Sequence, residues 1–245
     1  MTERTGDRVM RGGNQFVIGP SQLDWRDGEL TITIDERGAP RPRPVRGRVT
    51  VQTGPLGQQA FSLDDTGRHT WQPLSPAAQV LVDFDQPKLR WSGRGYFDSN
   101  WGSEPLEEGF RFWDWARFEL GDHEAAILYR TQPRSGAGKT LGLRYGPEGG
   151  IEPFRPVDAG TLRPTRYWRI RRPVQSGGQS GDQSEDQSRV HLIRTFEDTP
   201  FYSRSQIEAT LFGARRRGVH ETFDGDRLRR NIVRALLPVR MPRRR

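Results

Sequence analysis

Cysteine is missing from all 245 residues. That excludes disulfides, thiolate metal sites and cysteine nucleophiles. Lysine is nearly missing as well: of 39 basic residues only Lys88 and Lys139 are lysine. No apolar run approaches the ~20 residues that a membrane-spanning helix needs. Residues 1–20 are polar and hold no apolar stretch of signal-peptide length, so the cytoplasmic side is the expected location. His69, His123, His191 and His220 are scattered, and no two have the spacing of metal ligands. One string, Ser135–Thr140 (SGAGKT), resembles a phosphate loop, but the position that needs the first glycine is Pro133. No apolar strand feeds it and no helical pattern follows, so it reads as a loop between two strands.

Turn-forming residues are abundant instead, with 28 Gly and 18 Pro. Such punctuation disfavours long helices. Glu29–Asp35 reads ELTITID, whose Leu30, Ile32 and Ile34 alternate with threonine at the period of a half-buried strand. Val45–Val51, Gln79–Phe84, Ala125–Tyr129, Leu141–Tyr145, Arg166–Ile170, Val190–Phe196 and Ser205–Phe212 read the same way. Many short strands separated by Gly/Pro turns predict an all-β sandwich or barrel. One helix is predicted over about 226–237, capped by Asp226, with Leu228, Ile232, Ala235 and Leu236 on one face and Pro238 ending it. Gln175–Ser188 (QSGGQSGDQSEDQS) has no apolar residue and predicts a flexible hairpin insertion. Ser103-Glu104-Pro105 interrupts the pattern and suggests two halves, 1–105 and 106–245. Charge is lopsided: residues 211–245 carry eleven Arg against Glu221, Asp224 and Asp226, while residues 1–210 balance to zero.

The densest stretch is Trp91–Trp115, WSGRGYFDSNWGSEPLEEGFRFWDW, which holds four of the seven tryptophans with acids among them. Tyr96 and Asp98 are two apart, so on a strand they face one way, and His69 and Trp71 repeat that spacing. Strands facing one cavity would bring an acid, an imidazole, a phenol and an indole together. An Asp among aromatic rings is desolvated, which favours its neutral, proton-donating form. Protonating an alkene makes a carbocation, and aromatic faces stabilise cations. Core strands with turn acids are the structural alternative.

The string GRGYFDSNWGSEPLEEGFRFWDWAR (93–117) resembles the bacterial carotenoid 1,2-hydratases, or hydroxyneurosporene synthases. IGPSQLDW (18–25), GRHTWQPLSP (67–76), RTFEDTPFYSRS (194–205) and LLPVRMPRR (236–244) extend the resemblance over nearly the whole chain. It implies a lipocalin-like, calycin-type architecture of two barrels with one C-terminal helix. The first half (1–105) would carry the active site, and the second (106–245) the loop 175–188 and the helix. It implies addition of water across the terminal C1=C2 bond of an acyclic carotenoid such as neurosporene or lycopene, giving a tertiary 1-hydroxy product. No cofactor is implied. Asp98, His69, Tyr96 and Trp71 match the family's essential positions. Asp98 is the implied proton donor, Trp71 and Tyr96 are assigned to the cation, and His69 to water or proton handling. Family members begin with a further strand-rich segment bearing GSVFSPYY-like and HCALNVALYG-like strings. Neither occurs here, so the first barrel is expected to be incomplete.

The expected partners are the carotenoid, water and an anionic membrane surface met by the C-terminal arginines, at the inner photosynthetic membrane. No nucleic acid is expected, since no recognition motif accompanies the arginines. The competing function is a non-catalytic lipocalin-like carrier of carotenoid or another apolar ligand. An isomerase or cyclase using the same alkene protonation is a third.

Overall fold

The computed structural model describes residues 2–3, 5–38, 41–177, 190–236 and 241–242. Two compact units emerge. The first is Met1–Leu56, Ala77–Phe97 and Leu237–Arg245; the second is Gly57–Pro76 and Asp98–Leu236. Residues 57–76 and 98–105, assigned from the sequence to the first half, therefore group with the second unit.

The chain opens with β1 (Thr2–Glu3), a 3-10 turn at Gly6–Arg8, then β2 (Val9–Arg11), β3 (Gln15–Ile18), β4 (Ser21–Arg26), β5 (Glu29–Arg37) and β6 (Pro44–Gln52). β7 (Phe61–Ser62), β8 (His69–Gln86) and β9 (Leu89–Gly102) follow. In the first unit β2 to β6 form an antiparallel meander, continued by the Gln79–Gln86 part of β8. Leu30 faces Val51 and Ile32 faces Val49 across β5 and β6. Leu30, Val51 and Ala78 are its buried core, with Trp25, Val80 and Phe97 packed around them. The alternation of ELTITID is thus a strand with one face in that core.

The second unit continues with α1 (Leu106–Gly109), β10 (Phe110–Gly121), β11 (Glu124–Pro133), β12 (Thr140–Tyr145), β13 (Ile151–Pro153) and β14 (Pro156–Leu162). Then come β15 (Arg172–Gly177), β16 (His191–Asp198), β17 (Tyr202–Leu211), β18 (Ala214–Asp224), α2 (Gly225–Leu228), α3 (Asn231–Ala235) and β19 (Met241–Pro242). Its sheet runs β13-β12-β11-β10-β18-β17-β15-β14, with β16 beside β17. The sheet curls until Ala116, Phe118, Leu128, Leu162, Val174, Ile207 and Leu211, from five strands, meet in one buried cluster. The SGAGKT string lies between β11 and β12, as a loop should.

Three expectations change. Arg166–Ile170 is a turn, not a strand. Arg169 has φ 54°, and the Asp198 carboxylate accepts the backbone N–H of Tyr167 (2.7 Å) and Trp168 (3.2 Å). Gln175, Ser176 and Gly177 belong to β15, and Gln175 and Ser176 are buried; the rest of the 175–188 segment lies outside the described residues. The single C-terminal helix is two short ones broken at Arg229-Arg230. Asp224, not Asp226, caps the first, accepting from the Arg227 N–H at 2.9 Å. Pro238 lies outside the described residues.

Candidate active site

On β10 and β11 the side chains divide by strand alternation. Asp114, Ala116 and Phe118 face the same side as Arg130, Leu128 and Ala126, their cross-strand partners. Trp113, Trp115, Tyr129 and Thr131 point the other way. Residues 57–76 lie on this second face. Thr131 Oγ1 donates to the Leu63 carbonyl at 2.8 Å, the Arg117 guanidinium donates to the Pro76 carbonyl, and the Trp71 ring meets Tyr129 edge-on at 5.3 Å.

His69 and Trp71 open β8 and are both buried, at 3% and 1% exposure. The Trp71 Nε1–H donates to Asp98 Oδ2 at 2.9 Å. Asn100, two residues along β9, donates to the same oxygen at 3.1 Å. His69, Trp71 and Asp98 fall in the second unit, where Trp71 and Asp98 are hydrogen-bonded. Tyr96 stands two residues before Asp98 on β9 but belongs to the first unit. His69, Trp71 and Asp98, all within residues 1–105, are grouped with the second unit.

The His69 ring is held on several sides. Phe110 lies 4.6 Å away between ring centroids. A Cβ at Gly109 would come within 2.2 Å of His69 Cε1, and one at Gly102 within 3.0 Å of Cδ2. Both glycines are needed because the ring occupies the space of their side chains. Asp64 fixes its orientation: Oδ2 accepts from the His69 N–H at 2.9 Å and lies 3.0 Å from His69 Nδ1. The other oxygen, Oδ1, accepts from the Thr66 N–H, the Thr66 hydroxyl and the Arg68 N–H. Burial alone would raise the Asp64 pKa, but these hydrogen bonds hold it well below the usual carboxylate range. An ionised Asp64 accepts, so in the neutral imidazole Nδ1 carries the proton and Nε2 the lone pair. Nε2 is buried and has no hydrogen-bond partner among the described residues.

Sequence reasoning missed Asp64 and Tyr129. The Asp64-Asp65-Thr66-Gly67 composition marks a turn just before His69, and a turn Asp accepting from the residue two ahead was the available signal. Nothing local points to Tyr129. Burial, then the Asp98 charge, push its phenol above the ordinary value, so it stays protonated.

Two expectations about chemistry also change. Asp98 is only partly buried, because β9 runs out to exposed Asn100 and Trp101 beyond it. The Trp71 ring is enclosed by Phe61, at 5.6 Å, and Tyr129. The ring is buried, and its N–H is what reaches Asp98. A separate cavity of about 750 Å³ on the second unit is polar, lined by Arg111, Arg130, Gln132, Thr140, Asp158 and Asp224 among others. None of the four predicted residues lines it.

The model of the carotenoid hydratase CrtC family matches residues 1–245. This chain is a member of that family. An acyclic carotenoid 1,2-hydratase of Thiocapsa roseopersicina is 41% identical over 99% of the chain and 58% of its own length. One of Cereibacter sphaeroides is 33% identical over the whole chain and 84% of its own length. The chain thus spans under two-thirds of the Thiocapsa relative. A solved structure of a protein provisionally assigned as AttH, from Nitrosomonas europaea, superposes with a TM-score of 0.55 at 13% identity, covering 89% of this chain and 72% of that one. The CrtC fold here is accordingly all-β and lipocalin-like, with the few short helices described.

Proposed function

We propose that this CrtC-family chain hydrates the terminal C1=C2 bond of an acyclic carotenoid, with Asp98 as the acid. The observation that carries the reading is the Trp71 Nε1–H to Asp98 Oδ2 hydrogen bond, which fixes a carboxyl group beside the Asp64–His69 pair's strand. In its protonated form Asp98 transfers its proton to C2. The π electrons form the new C2–H bond, and C1 becomes a tertiary cation. Water attacks C1, and the proton it loses restores Asp98. His69 Nε2, an acceptor with an open lone pair, relays that proton. An apolar chain laid over Asp98 on binding excludes water from it, which supplies the desolvation the unliganded site lacks. Trp71 positions the carboxyl. The substrate class comes from the relatives' names and from the site's acid-plus-acceptor chemistry.

The test is to make the chain in a lycopene-producing host and quantify 1-hydroxylycopene by chromatography. Asp98→Asn is expected to lower formation ~10²–10⁴-fold, the usual worth of a positioned acid, while leaving pigment binding intact. Equal turnover by the two removes Asp98 as the donor. Pigment bound without product in the wild type favours the carrier reading.

A further inference from the structure

Three of the arginines that the sequence assigned to membrane contact are ion-paired. Arg229 pairs with Glu108 at 3.5 Å, Arg234 with Glu107 at 3.3 Å, and Arg227 with Asp224 at 3.3 Å. Arg243, Arg244 and Arg245 lie outside the described residues. A second basic element takes their place. The turn Arg163–Arg171 reads RPTRYWRIR, and all four of Arg163, Arg166, Arg169 and Arg171 are exposed with no ion-pair partner among the described residues. Arg166 lies over the Tyr167 ring at 5.6 Å. At the tip, Tyr167 is 74% and Trp168 40% exposed.

The turn is built to hold those rings out. Ile170 N–H donates to Thr165 Oγ1 at 2.9 Å, and Ile170 and Thr165 are buried beneath it. The Asp198 carboxylate takes the Tyr167 and Trp168 N–H groups, and the Arg227 guanidinium donates to the carbonyls of Trp168 and Arg169. A tip fixed from both sides loses little entropy on docking. Arg227 also ties it to α2; in the next helix, α3, Ile232 is 71% exposed, and Leu236, just after it, is 54% exposed.

We infer that the Arg163–Arg171 turn is the element that docks this protein on an anionic lipid surface, with Tyr167 and Trp168 entering the headgroup region. Amphipathic rings settle at that depth, and the flanking guanidinium groups meet the lipid phosphates and acidic headgroups. Exposed Ile232 and Leu236 favour lipid over nucleic acid, since aliphatic side chains offer bases no stacking face. The choice of lipid rests partly on the apolar substrate proposed above.

Carotenoid-free vesicles keep the two readings separate. The 245-residue chain is sedimented with phosphatidylcholine vesicles with and without 30% phosphatidylglycerol (an arbitrary ~30% anionic fraction). Arg166→Gln/Arg169→Gln is expected to lower affinity for the anionic vesicles roughly ten-fold or more, and this loss shrinks at high salt. Tyr167→Ser/Trp168→Ser is expected to lower affinity for both vesicle types. Arg229→Gln/Arg234→Gln, whose arginines are already paired, changes it less than two-fold. All six positions are exposed, and unchanged melting temperatures confirm folding. Wild-type binding by the turn variants, no vesicle binding by the wild type, or retention on single-stranded RNA in its place overturns the inference. Lost hydration with retained vesicle binding overturns the functional reading alone.

Discussion

At position 71 the indole matters through one hydrogen. Its ring packs against Phe61 and, edge-on, Tyr129, and its Nε1–H anchors Asp98. Trp71→Phe keeps an aromatic ring and removes that donor. A hydrogen bond to a charged partner is worth about 1.5–3 kcal/mol, so kcat is expected to fall roughly ten- to a hundred-fold with KM little changed. Steady-state kinetics on the proposed carotenoid substrate separate this from a wall residue, whose loss appears in KM. Gly109 is the complementary case, where a single methyl group matters. Its Cβ would sit 2.2 Å from His69 Cε1, so Gly109→Ala must push the imidazole off Asp64 or move α1. Overpacking of this kind costs about 1–3 kcal/mol, and a thermal melt is expected to register it together with loss of hydration.

Elements were legible in the sequence where their cause is local. ELTITID declared β5 because its alternation sets Leu30 and Ile32 on one face, which packs into the first unit's core, and the β11–β12 loop declared itself through glycine. Arg166–Ile170 did not, because what bends it is Asp198, about thirty residues away, and a left-handed Arg169 that no propensity flags. The site divides the same way. The i,i+2 spacing showed only that His69 and Trp71 share a strand face; the Trp71–Asp98 hydrogen bond spans 27 residues, and Tyr129 reaches Trp71 only because residues 57–76 pack on the β10–β11 face. The end of β15 was misread because composition predicts solvation and Gln175 and Ser176 are nonetheless 5% and 2% exposed. Removal of Gln175–Ser188 is therefore expected to be costly. It cuts β15 immediately after buried Val174 and strips the pairing of Pro156, Val157 and Asp158 with Gly177, Ser176 and Gln175. Calorimetry is expected to show a melting temperature lowered by several degrees; an unchanged value means those backbone groups find other partners.

For the molecule as a whole, two buried groups in the second unit give stability opposite dependences on pH. His220 is fully buried and donates Nε2–H to the Pro173 carbonyl. Burial, reinforced by the nearby Arg172 and Arg130 charges, pushes its pKa down from 6.5 to about 4. Between those values the unfolded chain binds a proton and the folded one does not, so stability falls as pH drops from about 6.5 to about 4. The full change is roughly 3 kcal/mol. Asp114 lies two strand positions from the His220 partner Ala116, its Oδ2 2.6 Å from Arg130 Nε. Burial outweighs Arg130 and raises its pKa to about 7. There the folded chain holds the proton that the unfolded one releases, so stability falls as pH rises from about 4 towards 7. The two slopes oppose each other over the same window, and the wild-type curve is expected to be nearly level between pH 4.5 and 6.5 (a window set by pKa values of about 4 and 6.5). Below it, stability drops as ionised Asp64 is protonated, since that carboxyl's contribution is present above the ordinary carboxylate pKa and lost beneath it. Denaturant titrations across pH separate the parts. His220→Gln leaves the Asp114 slope, so that variant gains stability on acidification; Asp114→Asn leaves the His220 slope and loses it. Parallel curves for the two variants would mean that water or a rearranged Arg130 relieves the burial on which both shifts depend.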